Sequence, residues 1–175
     1  PAVTASSGIA ATHVGGMTIH SWSGIGVKKR LTDWDIENIS AREKTAKRIM
    51  GTKVLIIDEV SMLDAKTLAS VDRVLRALRK KTFAEEQPFG GLQMIFVGDF
   101  FQLPPVSRES KSQFAFASPA WEAATPLVCY LSEQHRQDDG LFLQLLAAMR
   151  SGELDDEHRE LLRTRYQSGE APANA

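Results

Sequence analysis

The sequence predicts an α/β fold, a parallel sheet flanked by helices, and three observations carry that expectation. Short apolar runs alternate with longer amphipathic segments along most of the 175 residues, the pattern of strands joined by crossover helices. Val54-Leu55-Ile56-Ile57 is apolar at every position, so it needs cover on both faces, as a strand of a parallel sheet does. Every strand candidate ends in polar residues: Ser6-Ser7, Asp58-Glu59, Asp99 with Gln102, and Glu133 with His135-Arg136. In open α/β sheets, sites form at the carboxyl ends of strands, so these exits are expected to share one pocket.

Ala2 to Ala5 is the first strand candidate. The Ser6-Ser7-Gly8 turn leads into a brief helix over Ile9 to Val14, stopped by Gly15-Gly16. Thr18 to Trp22 begins another ordered segment, and Gly24 and Gly26 mark a loop. Lys28 to Met50 is charged, with apolar Ile36, Ile39, Ala46, Ile49 and Met50, and reads as one or two surface helices. Val54 to Asp58 is the strongest strand. Asp64 to Lys81 follows as a helix, with Leu68, Val71, Leu75 and Leu78 on one face and Arg73, Arg76, Arg79 and Lys80 on the other. A loop with Pro88 and a glycine pair precedes the strand Gln93 to Val97. Phe100 to Pro119 is irregular, broken by prolines. Leu127 to Leu131 reads as a further strand, with Cys129 a small buried residue on it. One helix through Leu141, Phe142, Leu145, Leu146 and Met149, and a more polar one over Leu154 to Tyr166, follow. The expected domain is residues 1–166, with 167–175 a disordered tail.

Hydrophobic content of 43% and charged content of 25% are ordinary for a globular chain. A formal net charge of −1 gives no global signal for nucleic acid, so any such binding needs a local surface. One cysteine excludes an internal disulfide framework and fits a reducing compartment. The compartment expected is the cytoplasm of a bacterium, or the nucleus or mitochondrion if the source is eukaryotic. His13, His20, His135 and His158 are scattered, without zinc spacing. No apolar run is long enough to span a bilayer, so no membrane partner is expected. The chain opens on proline and enters a strand at once, which reads as a fragment of a longer polypeptide.

Asp58 and Glu59 carry the first chemical hypothesis. Adjacent carboxylates at a buried strand tip suit nucleotide hydrolysis: Asp58 for a hydrated magnesium ion, Glu59 for the water that attacks a γ-phosphate. The alternative is a solvated loop start. Asp99 lies at the next strand exit, and Gln102 can contact the γ-phosphate from there, with Pro104-Pro105 stiffening the segment; the alternative is a proline-rich surface loop. Arg136 can offer a planar, permanently charged group to a transferring phosphoryl, or can be a surface arginine. Thr4, Ser6, Ser7, Gly8, His20 and Ser21 are small or hydrogen-bonding groups suited to nucleic-acid phosphates. Trp22, Phe100 and Phe101 can stack on bases, although a core role is the commoner use of such rings. The basic stripe Arg73, Arg76, Arg79, Lys80 and Lys81 reads as a solvated helix face rather than a DNA track. One part is missing: no G-x-x-x-x-G-K-[ST] phosphate loop occurs.

Five segments together resemble a known family. Val3 to Ala11 and Gly15 to Ser21 resemble the first DNA-contacting motifs of PIF-one-type helicases (superfamily one, RecD-like). Val54 to Leu63 is similar to their Walker B motif, and Gly98 to Val106, GDFFQLPPV, to their motif III. Ser132 to Gln137 resembles their next nucleotide-facing motif. The resemblance runs over about residues 2–165 in the family's order. It implies a RecA-like P-loop NTPase lobe, truncated at its first strand and phosphate loop, of an ATP-dependent helicase moving 5′ to 3′ on single-stranded DNA, with roles in repair, recombination or replication. It implies ATP and Mg2+ as cofactors, with Asp58 on magnesium, Glu59 as catalytic base, and Asp99, Gln102 and Arg136 on the nucleotide. Thr4, Ser6, Ser7, Gly8, His20, Ser21 and Pro104 fall on the DNA side. The implied partners are single-stranded DNA, the Walker A segment and the second RecA-like lobe of the same full-length chain. Without these, the fragment is expected to hydrolyse negligible ATP and to expose a sheet edge. The competing readings are a non-catalytic DNA-binding module and the motor of a RecD-like exonuclease or relaxase.

Overall fold

The structure is a computed structural model and describes residues 1–28, 30–80, 87–106, 113–131 and 140–166. Contacts divide the chain into two compact units, Pro1–Leu127 and Val128–Ala175. The first unit holds the sheet. Its strands are β1 (Ala2–Ala5), β2 (Met17–Thr18), β3 (Val54–Asp58) and β4 (Gln93–Phe96), in the order β2-β1-β3-β4 and parallel throughout. The helices are α1 (Gly8–His13), α2 (Ile19–Ser23), α3 (Asp33–Ser40), α4 (Glu43–Gly51), α5 (Ala65–Arg79) and α6 (Pro119–Ala124). The charged segment before β3 is two helices, and Thr18 ends the two-residue strand β2 and caps α2.

α5 organises the core. Asp64 caps it, accepting the Thr67 N–H at 2.7 Å. Leu68, Val71, Val74 and Leu75 are fully buried against Leu55 and Ile57 of β3, with Ile19, Ile49 and Phe89 in the same cluster. The other sheet face is covered less. Among the described residues only Ala5, Ala10 and Ala11, with Val14 beside them, form a cluster there, while Val3 and Ile95 are 38% and 39% exposed. The expectation of full cover on both faces of β3 is thus corrected: Leu55 and Ile57 are buried, Val54 and Ile56 half-buried. The reason is that α1, only six residues long, brings small alanines rather than a broad apolar face to that side among the described residues.

The α5 cations lie at the surface, with Arg73 and Lys80 exposed and Arg76 and Arg79 half-buried, and three of them are engaged by the protein. The Arg73 guanidinium donates to the Leu31 carbonyl at 2.5 Å and to Asp33 at 2.9 Å. Arg76 donates to Asp72 at 2.8 Å, and Arg79 to the Gly90 and Thr52 carbonyls at 2.7 and 3.2 Å. Arg73 and Arg79 tie α5 to the segments at Leu31, Thr52 and Gly90, while Arg76 pairs within the helix; Lys81 lies outside the described residues. Leu127–Leu131 is a second correction, since it forms no strand. Leu127, Tyr130 and Leu131 are at least 90% exposed and Cys129 is exposed. An apolar run becomes a strand only where a neighbouring backbone supplies ladder partners, and this one has none among the described residues.

In the second unit, α7 (Gly140–Ser151) buries Leu145 and Ala148, and α8 (Asp156–Thr164) opens on a capping box between Asp155 and His158. No helix among the described residues is long and apolar enough to cross a membrane.

Candidate active site at the carboxyl edge of the sheet

Register places three strand exits side by side. Ala5 pairs with Asp58 and Ile57 with Phe96, so the residues that follow β1, β3 and β4 emerge together. The ladder continues past the strand ends: the Ser6 N–H donates to the Asp58 carbonyl at 3.0 Å, and the Val97 N–H to the Ile57 carbonyl at 2.9 Å. β2 joins on the far side of β1, with Ala5 opposite Thr18, so α2 starts at the same edge.

β3 ends in a sharp turn. Glu59 has φ 52° and ψ 45°, a left-handed conformation that costs an L-residue about 1–2 kcal/mol. Neighbours hold it there. The Glu59 N–H donates to Asp58 Oδ1 at 2.9 Å, and the Glu59 carbonyl accepts the Ser6 hydroxyl at 2.6 Å and the Met62 N–H at 3.1 Å. The Val60 N–H donates to the Val97 carbonyl at 3.0 Å. The turn breaks the alternation that would send Asp58 and Glu59 to opposite faces. Both side chains are half-buried, and the Glu59 carboxylate makes no hydrogen bond or ion pair with the described residues.

Gly98 is required where β4 leaves the sheet. A Cβ there would lie 2.9 Å from Val60 N and 3.2 Å from Val60 Cγ1, so only glycine lets the two exits touch. Asp99 then builds the next turn: its carboxylate accepts the Phe101 N–H at 3.0 Å and the Gln102 side-chain amide at 3.3 Å. Gln102 is exposed and held by the residue that starts its own turn. Phe100 anchors this segment through ring contacts with Phe114, Phe116 and Trp121. Phe101 is 86% exposed, Pro104 is exposed and Pro105 is buried.

The residues of the first motifs divide by accessibility. Thr4 is fully buried and its hydroxyl donates to the Ile56 carbonyl at 2.7 Å. Ser6 is 9% exposed. Ser7 caps α1, accepting the Ala10 N–H at 3.2 Å, and Gly8 is exposed. Ser21 is exposed, whereas Trp22 is buried in the core. Burial lowers the pKa of half-buried His20, opposed in part by the Asp64 carboxylate, and so favours the neutral imidazole. Arg48 secures α2 from below, donating to the Trp22 and Ser21 carbonyls at 3.0 and 3.2 Å. Glu133, His135 and Arg136 lie outside the described residues.

Two contributors escape a reading of the chain alone. Arg48 shows no motif that foretells its clamp on α2. Ser61 is fully buried in the 3₁₀ turn Val60–Met62, and its Oγ is the one buried side-chain polar atom without a partner among the described residues. Its signal in the sequence is a hydroxyl set in the apolar run Val60-Met62-Leu63.

The donor set fits magnesium. Asp58 supplies hard carboxylate oxygens, and Oδ2 has no protein donor among the described residues. No group of three or more His, Cys, Asp or Glu side chains converges among the described residues. Magnesium needs no such cage, since it is held by one or two carboxylates, water and substrate phosphates.

Comparison with known proteins gives the family. A family model described as PIF1-like helicase matches residues 1–160. The ATP-dependent DNA helicase Pif1 of Psychrobacter sp. is 54% identical over 142 residues, 79% of this chain and 21% of that protein. The ATP-dependent DNA helicase PIF1 of Saccharomyces cerevisiae is 44% identical over 159 residues, 89% of this chain and 18% of that protein. The crystal structure of Pif1 helicase from Candida albicans superposes with a TM-score of 0.84 at 36% identity, covering 98% of this chain and 38% of that one. Bacteroides Pif1 in complex with ADP-AlF3 and single-stranded DNA gives 0.79 at 28% identity, covering 99% of this chain and 42% of that one. The chain thus spans about a fifth of the length of the curated relatives it matches. Its fold is the RecA-like lobe of these structures, and the chain belongs to the PIF1-like helicase family.

Proposed function

We propose that this chain is part of the motor of an ATP-dependent helicase that moves 5′ to 3′ along single-stranded DNA. The observation that carries the reading is the meeting of three strand exits, which sets Asp58-Glu59 beside the Asp99–Gln102 turn on one side and the β1 exit on the other. Named relatives are ATP-dependent DNA helicases, and Bacteroides Pif1 has been crystallised with single-stranded DNA.

The roles assigned here rest on position and motif together. Glu59 carries a carboxylate free of protein partners among the described residues, as a base that orients the attacking water needs. The Asp99 carboxylate holds the Gln102 amide, and Gln102 is the residue assigned to sense the γ-phosphate. Arg136 is assigned to the same phosphate by motif. Asp58 would hold magnesium, which supplies charge neutralisation to the phosphates when bound. Ser7, Gly8, His20, Ser21 and Pro104 make the DNA side, with neutral His20 acting as a hydrogen-bonding group rather than a cation. Phosphoryl transfer also needs a phosphate loop and its lysine, so the 175 residues alone are expected to hydrolyse little ATP.

The test uses the full-length protein and forked duplexes with a single-stranded tail on either end. The reading expects magnesium-dependent ATP turnover stimulated by single-stranded DNA, and unwinding from the 5′ tail. Turnover indifferent to DNA, or unwinding only from the 3′ tail, would overturn it.

A further inference from the structure

We infer that Ser6 is a positioning residue that ties the DNA side of the site to the water-activating acid. The inference rests on the function proposed above and names the contact through which its two halves communicate.

Ser6 looks like a phosphate contact in the sequence, but the structure turns it inward. It is 9% exposed, and its hydroxyl proton is engaged by the Glu59 carbonyl at 2.6 Å, across 53 residues of sequence. That carbonyl belongs to the peptide joining Glu59 to Val60. The same peptide's N–H donates to the Val97 carbonyl at 3.0 Å. The peptide plane is thus held from opposite sides, by the β1 exit through its oxygen and by the β4 exit through its nitrogen. This plane sets ψ of Glu59, the residue in the left-handed conformation. A strained backbone of this kind persists only where its surroundings over-determine it.

The other end of the link is short. Ser7 caps α1 and Gly8 starts it, and both follow Ser6 directly at the exposed edge. The Ser6 N–H donates to the Asp58 carbonyl at 3.0 Å, so any displacement of the 6–8 turn reaches both acidic residues through the backbone. Thr4 makes a similar hydroxyl-to-carbonyl contact with Ile56, but that carbonyl lies within β3 and not in the left-handed turn that carries Glu59. The coupling is therefore particular to Ser6. DNA seated on residues 7 and 8 would set the angle at which Glu59 meets its water, without Ser6 touching DNA or nucleotide.

The experiment compares Ser6→Ala and Ser6→Thr in the full-length protein, with turnover expressed per nucleotide-binding site so that only folded molecules count. At saturating oligo-dT, Ser6→Ala should lower kcat about tenfold, the scale of one lost hydrogen bond to a reacting geometry. KM for ATP and Kd for fluorescent oligo-dT should stay within about twofold, because uniform binding is untouched. Ser6→Thr, which keeps the hydroxyl, should recover most of kcat. A Kd for oligo-dT raised tenfold with kcat intact would overturn the inference and make Ser6 a phosphate contact. Equal loss in both variants, or none in either, would overturn it too. A further readout needs no variant: oligo-dT should slow amide exchange at Val60 and Met62 in the unsubstituted protein, and unchanged exchange there counts against the link. If the unsubstituted protein shows no DNA-stimulated turnover, the helicase reading itself fails, which is a distinct result.

Discussion

Two tight turns bracket the sheet, and both force an ordinary side chain to positive φ. Phe89, with φ 55°, stands before β4 at the amino-terminal edge; Glu59, with φ 52°, stands after β3 at the carboxyl edge. The backbone of the first is held by side chains of α5. Phe89 is buried, its N–H is taken by the Asp72 carboxylate at 2.5 Å, and the next carbonyl, of Gly90, accepts Arg79 at 2.7 Å. The second is restrained in its backbone but leaves chemistry open: a carboxylate without protein partners among the described residues, and the buried Ser61 hydroxyl with none. The same left-handed backbone thus sits in a fully bonded turn at one end and beside unpartnered polar groups at the other, the edge where functional groups gather in α/β sheets.

Substitutions at the two ends should therefore differ in kind. Gly90→Ala carries the largest expected effect on stability. Gly90 has φ +60°, and an added Cβ would lie 2.7 Å from the Leu75 carbonyl oxygen. A loss of about 3 kcal/mol or more in urea unfolding follows, from left-handed strain plus backbone overpacking. Full retention of stability would mean the closed turn is not a structural clamp.

An intermediate effect is expected at the α3 cap, through pH. The Lys28 ammonium, then the Thr32 N–H and hydroxyl, hold the Asp35 carboxyl down to about 2. Its folded pKa lies below the ordinary value of 3.8, so the contact stabilises above pH 3.8 and is lost as pH falls toward 2. Asp35→Asn should flatten the decline of Tm over that window; an unchanged profile would remove Asp35 from the acid response. The smallest effect is expected at Ser61. Ser61→Ala removes a buried hydroxyl that has no partner, so stability should hold or rise by up to about 1 kcal/mol. A clear loss of stability would show that the hydroxyl is satisfied in solution.

Local pattern was enough to read the sheet and its main helix. β3 is uniformly apolar and α5 places Leu68, Val71 and Leu75 on one face, signals that need no knowledge of distant residues. That the exits of β3 and β4 meet at one edge was also readable, because parallel strands in one sheet must deliver their exits to one side. What the chain concealed were contacts between groups far apart in sequence. The Arg73 and Arg79 hydrogen bonds reach carbonyls 42 and 27 residues away, structural ties that the surface stripe does not announce. Thr4 and Ser6 look like surface hydroxyls until their partners, 52 and 53 residues on, are known. Leu127–Leu131 misled in the opposite direction, since its apolar composition says nothing about a strand partner.

The most direct measurement is the turnover of Glu59→Gln in the full-length protein beside its nucleotide affinity. Removal of the base should cost at least about 10²-fold in DNA-stimulated ATP turnover, on the scale of general acid–base catalysis. Nucleotide affinity and Tm should stay close to those of the unsubstituted protein, because the Glu59 carboxylate bonds to none of the described residues. Turnover within tenfold of the unsubstituted protein, with affinity intact, would contradict the assignment of Glu59 and of the open turn at the carboxyl edge.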